Sequence, residues 1–536
     1  MKRTPAKLSA LLLLLVFCAS AGAAGAQSSS KLPSPERVVA DYVKAVGGRK
    51  RLAAVRDATY EWSVLRAGAP AGTARTQLKT TGALRDDLLL NDGETDSAAN
   101  ARTAWARTPD GNLRTLTDSE AFAARLRATL EPAWFSDYKK QKVLARTVAR
   151  EDVNGEPAYL LEFSTRAGAR LRYWFGATSR VVLQMSDDAR RTRVRFADWR
   201  ARQGSPLLLE PHRVEIEREG EPVLTLTLAA AGYNTGLPDS LFEPPGDATL
   251  DIPALLRDLS KNQEEDDQRI NDYTFTQKVT EREVDDKGRV KKEKVSVYEV
   301  YPIAEYGWVQ KLVAENGAPL PPERAAKEER RVAEELEKAE REAPKLKQKR
   351  EQKRAERRAK RRAKSADRSD GSGEEGDDDV EISTFLRACE FFSPRRERFR
   401  DRDVIVFDFR PRAGFKPKNT GETIVSKLSG VIWVDPAERH VMRLEARLVD
   451  SFKMGGGLVA SIKPGSAFIF EQTRLPEGVW LPRFSQVNAS ARVFLFAGMS
   501  INQTREFGDF KRFSTKSGED KLDAPKEKPE EKPEPR

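Results

Sequence analysis

Residues 60–64 read Tyr-Glu-Trp-Ser-Val, so that three large apolar side chains alternate with two polar ones. Successive side chains of a β-strand point to opposite faces, and this period of two predicts a strand with one buried face. The stretch 171–175 repeats the pattern with Leu171, Tyr173 and Phe175. Further out, short turns such as Asn154-Gly155 separate other alternating segments, as is typical of hairpins. We therefore expect a large antiparallel sheet, not alternating strand–helix units.

Two helices are expected to accompany this sheet, which places the chain in the α+β class. Ser34 and Pro35 predict the start of the first helix, since serine is favoured at the N-cap and proline at the first helical position. Apolar residues at helical spacing predict the second helix around 119–130.

The second half of the chain repeats the plan of the first. A polar helix is expected over about 252–270, and strands follow from Tyr273 onwards. The expected organisation is a signal peptide at 1–26, a first β domain at 34–250, a second β domain at 251–515, a charged helical insertion at 321–364, a disordered linker at 365–379 and a disordered tail at 516–536.

The amino terminus predicts export. Basic residues precede the apolar run Leu11–Phe17, and the small residues at 24–26 predict cleavage before Gln27. A membrane-spanning helix needs about 20 apolar residues, and this run is shorter. We expect a periplasmic protein. A lipoprotein cleavage box ending at Cys18 is the alternative, and it would attach the protein to the outer membrane; the large Phe17 before the cysteine argues against it.

The net charge of +11 is concentrated in one segment. The tract Lys345–Lys364 holds twelve lysines or arginines against two glutamates, and the rest of the chain is close to neutral. Export removes nucleic acid as a partner, so anionic lipid headgroups are the expected counterpart of this tract. A solvated helix, partly neutralised by the acidic residues at 374–381, is the alternative.

No motif for catalysis, metal binding or nucleotide binding is present. His212 and His440 are the only histidines, and Cys389 is the only cysteine beyond the predicted signal peptide. We expect Cys389 to be a buried apolar residue, and we expect no enzyme, no cofactor and no metal. A hydrolase built on two carboxylates is left open, because such pairs are made in space rather than in sequence.

Two late segments are apolar on both faces, namely 467–470 and 493–496. In a sheet with one solvent-exposed face, apolar and polar residues should alternate along each strand. These segments do not alternate, so either both of their faces are covered by core or one face lines a concave apolar surface for a ligand. The ligand-lining candidates are Trp62, Tyr173, Trp433, Trp480, Phe494 and Phe496.

Several short motifs resemble a known family. Residues 41–48, Asp-Tyr-Val-Lys-Ala-Val-Gly-Gly, are similar to the opening of bacterial outer-membrane lipoprotein-sorting (LolA-like) proteins, and 430–435 and 479–483 resemble strand signatures of the same group. The resemblance implies two tandem half-open antiparallel barrels, or strongly curved sheets, whose concave sides are closed by helices and house acyl chains.

The leading hypothesis is therefore a non-enzymatic periplasmic protein that carries a lipid or an acylated lipoprotein in the hollows of its sheets. Burial of an acyl chain contributes about 0.8 kcal/mol per CH₂. The alternative is an envelope scaffold or sensor that binds a protein partner and whose sheets contain only its own side chains. The two hypotheses differ in whether the hollows are empty.

Overall fold

The computed structural model describes residues 32–165, 168–201, 208–284, 290–303, 307–339, 341–342, 352, 388–454, 460–493 and 499–512. These ranges form two large antiparallel sheets and a few helices, which confirms the predicted α+β class. The predicted signal peptide, linker and tail lie outside the described residues, as do Phe494, Phe496 and nearly all of Lys345–Lys364. Among the described helices, none is long and apolar enough to cross a membrane.

The first sheet consists of thirteen antiparallel strands in the described part of the chain. Its strands are β1 (Asp57–Arg66), β2 (Ala69–Lys79), β3 (Ala83–Leu90), β4 (Gly93–Ala99), β5 (Ala104–Arg107), β6 (Leu113–Thr115), β7 (Leu144–Val153), β8 (Glu156–Ser164), β9 (Arg170–Gly176), β10 (Val182–Asp187), β11 (Thr192–Ala201), β12 (Leu209–Arg218) and β13 (Leu224–Tyr233). The order across the sheet is β6-β5-β4-β3-β2-β1-β13-β12-β11-β10-β9-β8-β7. The first and last strands therefore pair in the middle, and β6 and β7 form the two edges.

Three helices belong to this sheet: α1 (Pro35–Ala45), α2 (Arg49–Ala53) and α3 (Asp118–Leu130). Ser34 is the N-cap of α1, and its hydroxyl accepts a hydrogen bond from the Arg37 N–H at 3.3 Å, as the sequence predicted. Helix α3 connects the two edge strands and packs on β3, β4, β5 and β9. It therefore crosses the helix-covered face of the sheet from one edge to the other.

The second sheet repeats this topology. Its strands are β14 (Tyr273–Val284), β15 (Val290–Ile303), β16 (Gly307–Glu315), β17 (Ala318–Pro319), β18 (Cys389–Phe399), β19 (Arg402–Pro411), β20 (Leu428–Asp435), β21 (His440–Leu448), β22 (Phe452–Met454), β23 (Ala460–Ile462), β24 (Ala467–Arg474), β25 (Trp480–Val493) and β26 (Met499–Arg512). The order is β17-β16-β15-β14-β26-β25-β24-β21-β20-β19-β18, with β22 and β23 attached beside β25. Again the first and last strands pair in the middle.

The charged insertion lies between β17 and β18, which is the position that α3 holds in the first sheet. Residues 322–339 of this insertion form a helix, here α5. Helix α4 (Ile252–Arg269) precedes the second sheet, and the short α6 (Thr420–Val425) precedes β20. The repeat that the sequence predicted is therefore present in the strand order itself.

The structure differs from the sequence-based prediction at several places, and strands β4, β5 and β6 were not predicted. Strand β2, Ala69–Lys79, was not expected, because its alanines, threonines and glycine give little apolar alternation. Cys389 is fully buried as expected, but it begins strand β18, although Phe385 and Leu386 precede it at helical spacing. Pairing with β19 decides the conformation there.

Candidate functional site

The helix-covered face of the first sheet is filled by the protein's own side chains. Phe135 is the centre of this core, with its ring 5.6 Å from Tyr42, 5.3 Å from Phe163 and 4.8 Å from Tyr173. Trp62 belongs to the same core. The expectation of an apolar hollow inside this sheet is therefore corrected, because large aromatic residues from α1, β8, β9 and the segment after α3 occupy that space.

The second sheet is covered on one face by α4. Ile252, Leu256 and Leu259 of that helix pack on a cluster that includes Phe407 and Val434. Side chains of alternate strand residues share a face, so Ile432 and Leu444 belong to this α4 face, and Val431, Trp433, Glu445 and Arg447 belong to the opposite one. The opposite face is turned towards the first sheet.

Of the six ligand-lining candidates, four are described and all four are buried. Trp433 contacts the apolar cluster of Val406 and Met442, and Trp480 stacks on His440 with ring centroids 5.4 Å apart. Trp62 and Tyr173 lie in the first core. None of these four is among the residues that line the cleft described next, and a ligand contact by any of the six stays a prediction.

A large cleft of about 1290 Å³ separates the first sheet from the second. One wall consists of α3, the segment that follows it and the start of β7, and the other consists of β20, β21, β24, β25 and β26. Both walls contribute apolar side chains, namely Phe122, Leu126, Val143, Leu144, Val431 and Ile469. The available space is thus between the two halves of the chain.

A buried ionic cluster joins the two halves of the chain. Arg395 donates to Glu397 at 2.7 Å and to Asp408 at 3.0 Å, and its guanidinium also donates to the Thr115 hydroxyl at 2.6 Å. Glu397 in turn accepts from the Thr115 N–H at 2.7 Å. Arg395 and Glu397 have side chains no more than 2% exposed. Strand β6 of the first sheet is therefore bound to β18 of the second.

Arg443 forms a second link between the halves. It lies over Trp433 and pairs with Glu445 at 2.7 Å, with Asp118 at the start of α3 at 2.8 Å, and with Glu471. Burial alone would lower the pKa of Arg443, but the carboxylates of Glu445, Asp118 and Glu471 outweigh it and raise the pKa. Arg443 is therefore charged and fully paired.

Four arginines line the cleft itself: Arg102, Arg125, Arg146 and Arg447. Arg146 pairs with Glu162 at 2.8 Å. Arg102 pairs with Asp408 at 3.2 Å and with Glu243. Arg125 donates only to the carbonyl oxygen of Arg102, at 3.4 Å, and lies over the Phe122 ring. In the described part of the chain, neither Arg125 nor Arg447 has a carboxylate within ion-pair distance. The cleft thus combines apolar walls with two arginines that have no counter-charge among the described residues, and Lys142 and Lys463 line it as well.

The sequence held a signal for this site that the aromatic candidates did not capture. In β21, the charged Arg443, Glu445 and Arg447 alternate with the apolar Leu444 and Ala446. Charges at every second position of an otherwise apolar strand indicate a face that is buried yet polar. Within the described residues, no group of three or more His, Cys, Asp or Glu side chains could hold a metal ion.

Comparison with known proteins gives structural likenesses only. No protein-family model and no curated protein matches the chain. Among solved structures, the chain is similar to a DUF1329 family protein from Desulfovibrio piger, with 15% identity over 39% of this chain and 96% of that one and a TM-score of 0.27. It is similar to a putative outer membrane lipoprotein-sorting protein domain from Vibrio parahaemolyticus, with 12% identity over 39% and 95% and a TM-score of 0.24.

A third likeness is to a LolA superfamily protein from Nitrosomonas europaea, with 13% identity over 39% of this chain and 97% of that one and a TM-score of 0.27. Identities and TM-scores this low assign no ligand or activity to the chain. Two of these three solved structures carry names of the lipoprotein-sorting group whose motifs the sequence resembles.

Proposed function

We propose that the protein is an exported, non-enzymatic binding protein of the bacterial envelope that holds an amphiphile in the cleft between its two sheets. The amphiphile would be a lipid or the acyl chain of a lipoprotein. The observation that carries the proposal is the cleft of about 1290 Å³ with apolar side chains on both walls. Pockets for drug-sized ligands measure about 300–1,000 Å³, so a longer ligand fits here.

Apolar burial supplies enough free energy for such a ligand. Each CH₂ group of an acyl chain that leaves water contributes about 0.8 kcal/mol, so a chain of about ten buried groups offsets the cost of immobilising it. The wall residues Phe122 and Leu126 of α3 face Val431 and Ile469 of the second sheet, so an acyl chain would be in contact with both halves.

The test is a binding measurement with a variant that fills the cleft. The full chain should displace a fluorescent fatty acid from solution and retain a co-purified amphiphile in native mass spectrometry. Ala467 lines the cleft on β24, and Ala467→Trp should reduce the affinity for the fatty acid about tenfold or more by occupying that space. Ala437→Trp, in an exposed turn outside the cleft, is the matched control and should bind as the unchanged chain does.

Two outcomes would count against this proposal. If the unchanged chain binds no fatty acid and retains no lipid, carriage of an amphiphile is rejected. If Ala467→Trp binds as tightly as Ala437→Trp, the ligand lies elsewhere. A protein partner recovered by crosslinking in the absence of any lipid would support the envelope scaffold or sensor instead.

The basic tract Lys345–Lys364 is assigned a separate role in this proposal, which is contact with an anionic membrane surface. The full chain should sediment with phosphatidylglycerol vesicles at low salt and be released at high salt. Replacement of 345–364 by a Gly-Ser repeat of equal length should abolish this sedimentation while leaving binding of the fatty acid unchanged. Sedimentation that persists in the replaced chain would reject the role.

A further inference from the structure

We infer that Arg125 and Arg447 form a recognition site for the carboxylate or phosphate headgroup of an anionic amphiphile whose apolar part lies in the same cleft. This inference rests on the proposed function and deepens it, since it names the chemical class of the ligand. It also requires both halves of the chain, because Arg125 comes from α3 and Arg447 from β21.

The first argument is the contrast among the arginines at this interface. Arg395 and Arg443 are buried in clusters of carboxylates, and Arg102 pairs with two. Arg125 and Arg447 line open space and, in the described part of the chain, have no such partner. A half-buried guanidinium costs free energy unless it is paired, so an unpaired couple facing a cavity indicates an anion that is supplied by a ligand.

The second argument is that Arg125 and Arg447 each have other cations close by in the unliganded protein. Burial and the neighbouring charges of Arg125 and Arg102 lower the pKa of Arg447 to about 10. Burial and the charge of Arg443 likewise lower the pKa of Arg125, although Glu445 opposes this. Both groups remain protonated at neutral pH. An oxyanion between them would relieve the repulsion and gain charge-assisted hydrogen bonds.

The third argument is a polar row that continues from Arg447 across the sheet. The strand register places Ser429, Arg447, Ala467, Asn488 and Asn502 side by side on β20, β21, β24, β25 and β26. All five line the cleft. Asn488 is 9% exposed, and its amide oxygen, like that of Asn502, makes no hydrogen bond within the described part of the chain. A buried amide without a partner is costly, so these groups point to a polar ligand near Arg447.

The next row on the same face differs in character. It contains Val431 and Ile469, both 3% exposed, on either side of Glu445. Glu445 is already engaged by Arg443, to which it is bonded at 2.7 Å. An amphiphile would therefore meet cations and amides in one row and apolar side chains beside them, which matches a charged head joined to a hydrocarbon tail.

The experiment compares two ligands that share a tail and differ in the head: palmitate and hexadecanol, each competing with a fluorescent probe for the full chain. We expect palmitate to bind about tenfold or more tightly than hexadecanol, the ratio typical of one or two charge-assisted hydrogen bonds. Arg125→Gln and Arg447→Gln should each lose most of this preference. Arg191→Gln, an exposed arginine in a remote turn, is the matched control and should keep the preference.

A thermal measurement separates a binding role from a structural one. Without ligand, Arg447→Gln should melt at the same temperature as the unchanged chain or higher, since the repulsion with Arg125 is removed. With saturating palmitate, the unchanged chain should gain more in melting temperature than the variant does. A lower melting temperature of the unliganded variant would assign Arg447 a structural role and overturn the inference.

The binding outcomes distinguish this inference from the proposed function. If both ligands bind equally to the unchanged chain, the headgroup site is rejected and the amphiphile cleft stands. If neither binds, the proposed function fails. If inorganic phosphate alone competes as well as palmitate and loses this ability in Arg447→Gln, the anion site stands but its ligand is a free anion, and the lipid source is rejected.

Discussion

Two buried arginines of this protein are stabilised by carboxylates that lie next to them. Arg443 and Arg395 are almost fully buried, and each is surrounded by carboxylates from strands next to it. Burial raises the pKa of Glu471 although Arg443 opposes this, so the pair is stable only while both partners are present. At the scale of the residue, Arg395 and Arg443 have counter-charges within the protein, whereas Arg125 and Arg447 have none in the described part of the chain.

Cys389 gives a residue-scale prediction with a defined pH dependence. Burial raises the pKa of its thiol to about 12, against a value of 9.0 for a free cysteine, while Arg412 opposes the shift. At pH 8 the native thiol should therefore be alkylated by iodoacetamide at least about tenfold more slowly than in the unfolded chain, as followed by mass spectrometry. Above about pH 9 the unfolded thiol ionises and the folded one does not, so the free energy of unfolding should fall with rising pH.

The control for this prediction is Cys389→Ala, which removes this thiol and the associated part of the pH dependence. Alkylation of the native chain at the rate of a free thiol would show that Cys389 is accessible and that the predicted shift is absent.

At the scale of the element, α5 protects an open edge of the second sheet. Strand β16 is followed only by the two residues of β17, and α5 lies along the part of β16 that β17 leaves uncovered. The Glu328 carboxylate accepts a hydrogen bond from the Leu312 N–H at 3.0 Å, and Arg331 donates to the carbonyl oxygen of Gln310. Side chains of α5 thus satisfy the backbone groups that an exposed edge would offer to another chain.

Glu328→Ala should leave the Leu312 N–H at this edge without its hydrogen-bond acceptor. We expect the Leu312 amide to exchange with deuterium about fivefold faster, the factor that corresponds to one lost hydrogen bond. Glu329→Ala is the matched control, because Glu329 contacts only the Lys311 ammonium group at 3.3 Å. Equal exchange at Leu312 in both variants would mean that α5 does not cover β16 in solution.

At the scale of the whole molecule, the two sheets are joined by a few buried polar contacts. Helix α3 and β6 supply Asp118 and Thr115, and the second sheet supplies Arg443, Arg395 and Glu397. These contacts join β6 and the start of α3 to β18 and β21. The same contacts should make the two sheets unfold together.

Arg395→Met tests this coupling. Removal of one partner from a buried ion pair costs about 3–5 kcal/mol, so the free energy of unfolding should fall by that amount and the calorimetric transition should separate into two. Thr115→Val should cost less, about 1–3 kcal/mol, since it removes only a neutral hydroxyl. Arg396→Met, whose exposed side chain reaches only Asp247 at 3.5 Å, should change the stability by less than about 1 kcal/mol. A single unshifted transition for Arg395→Met would contradict the coupling.

Local patterns in the sequence determined the elements of this fold. The alternation at 60–64 predicted part of β1, Ser34 predicted the start of α1, and the apolar spacing at 119–130 predicted α3 to within one residue. The sequence also predicted that the second half of the chain repeats the helix and strands of the first half. These features depend on neighbours within a few residues, and the chain carries that information directly.

Only the tertiary structure decided where the open space lies. Arg443 meets Asp118 across 325 positions of the chain, and Arg395 meets Thr115 across 280. No local pattern encodes such distances, so the sequence alone placed the hollows inside each sheet and chose aromatic residues to line them. In the folded chain the aromatic residues of the first sheet pack on one another, and the open space arises between two sheets that are joined by paired charges.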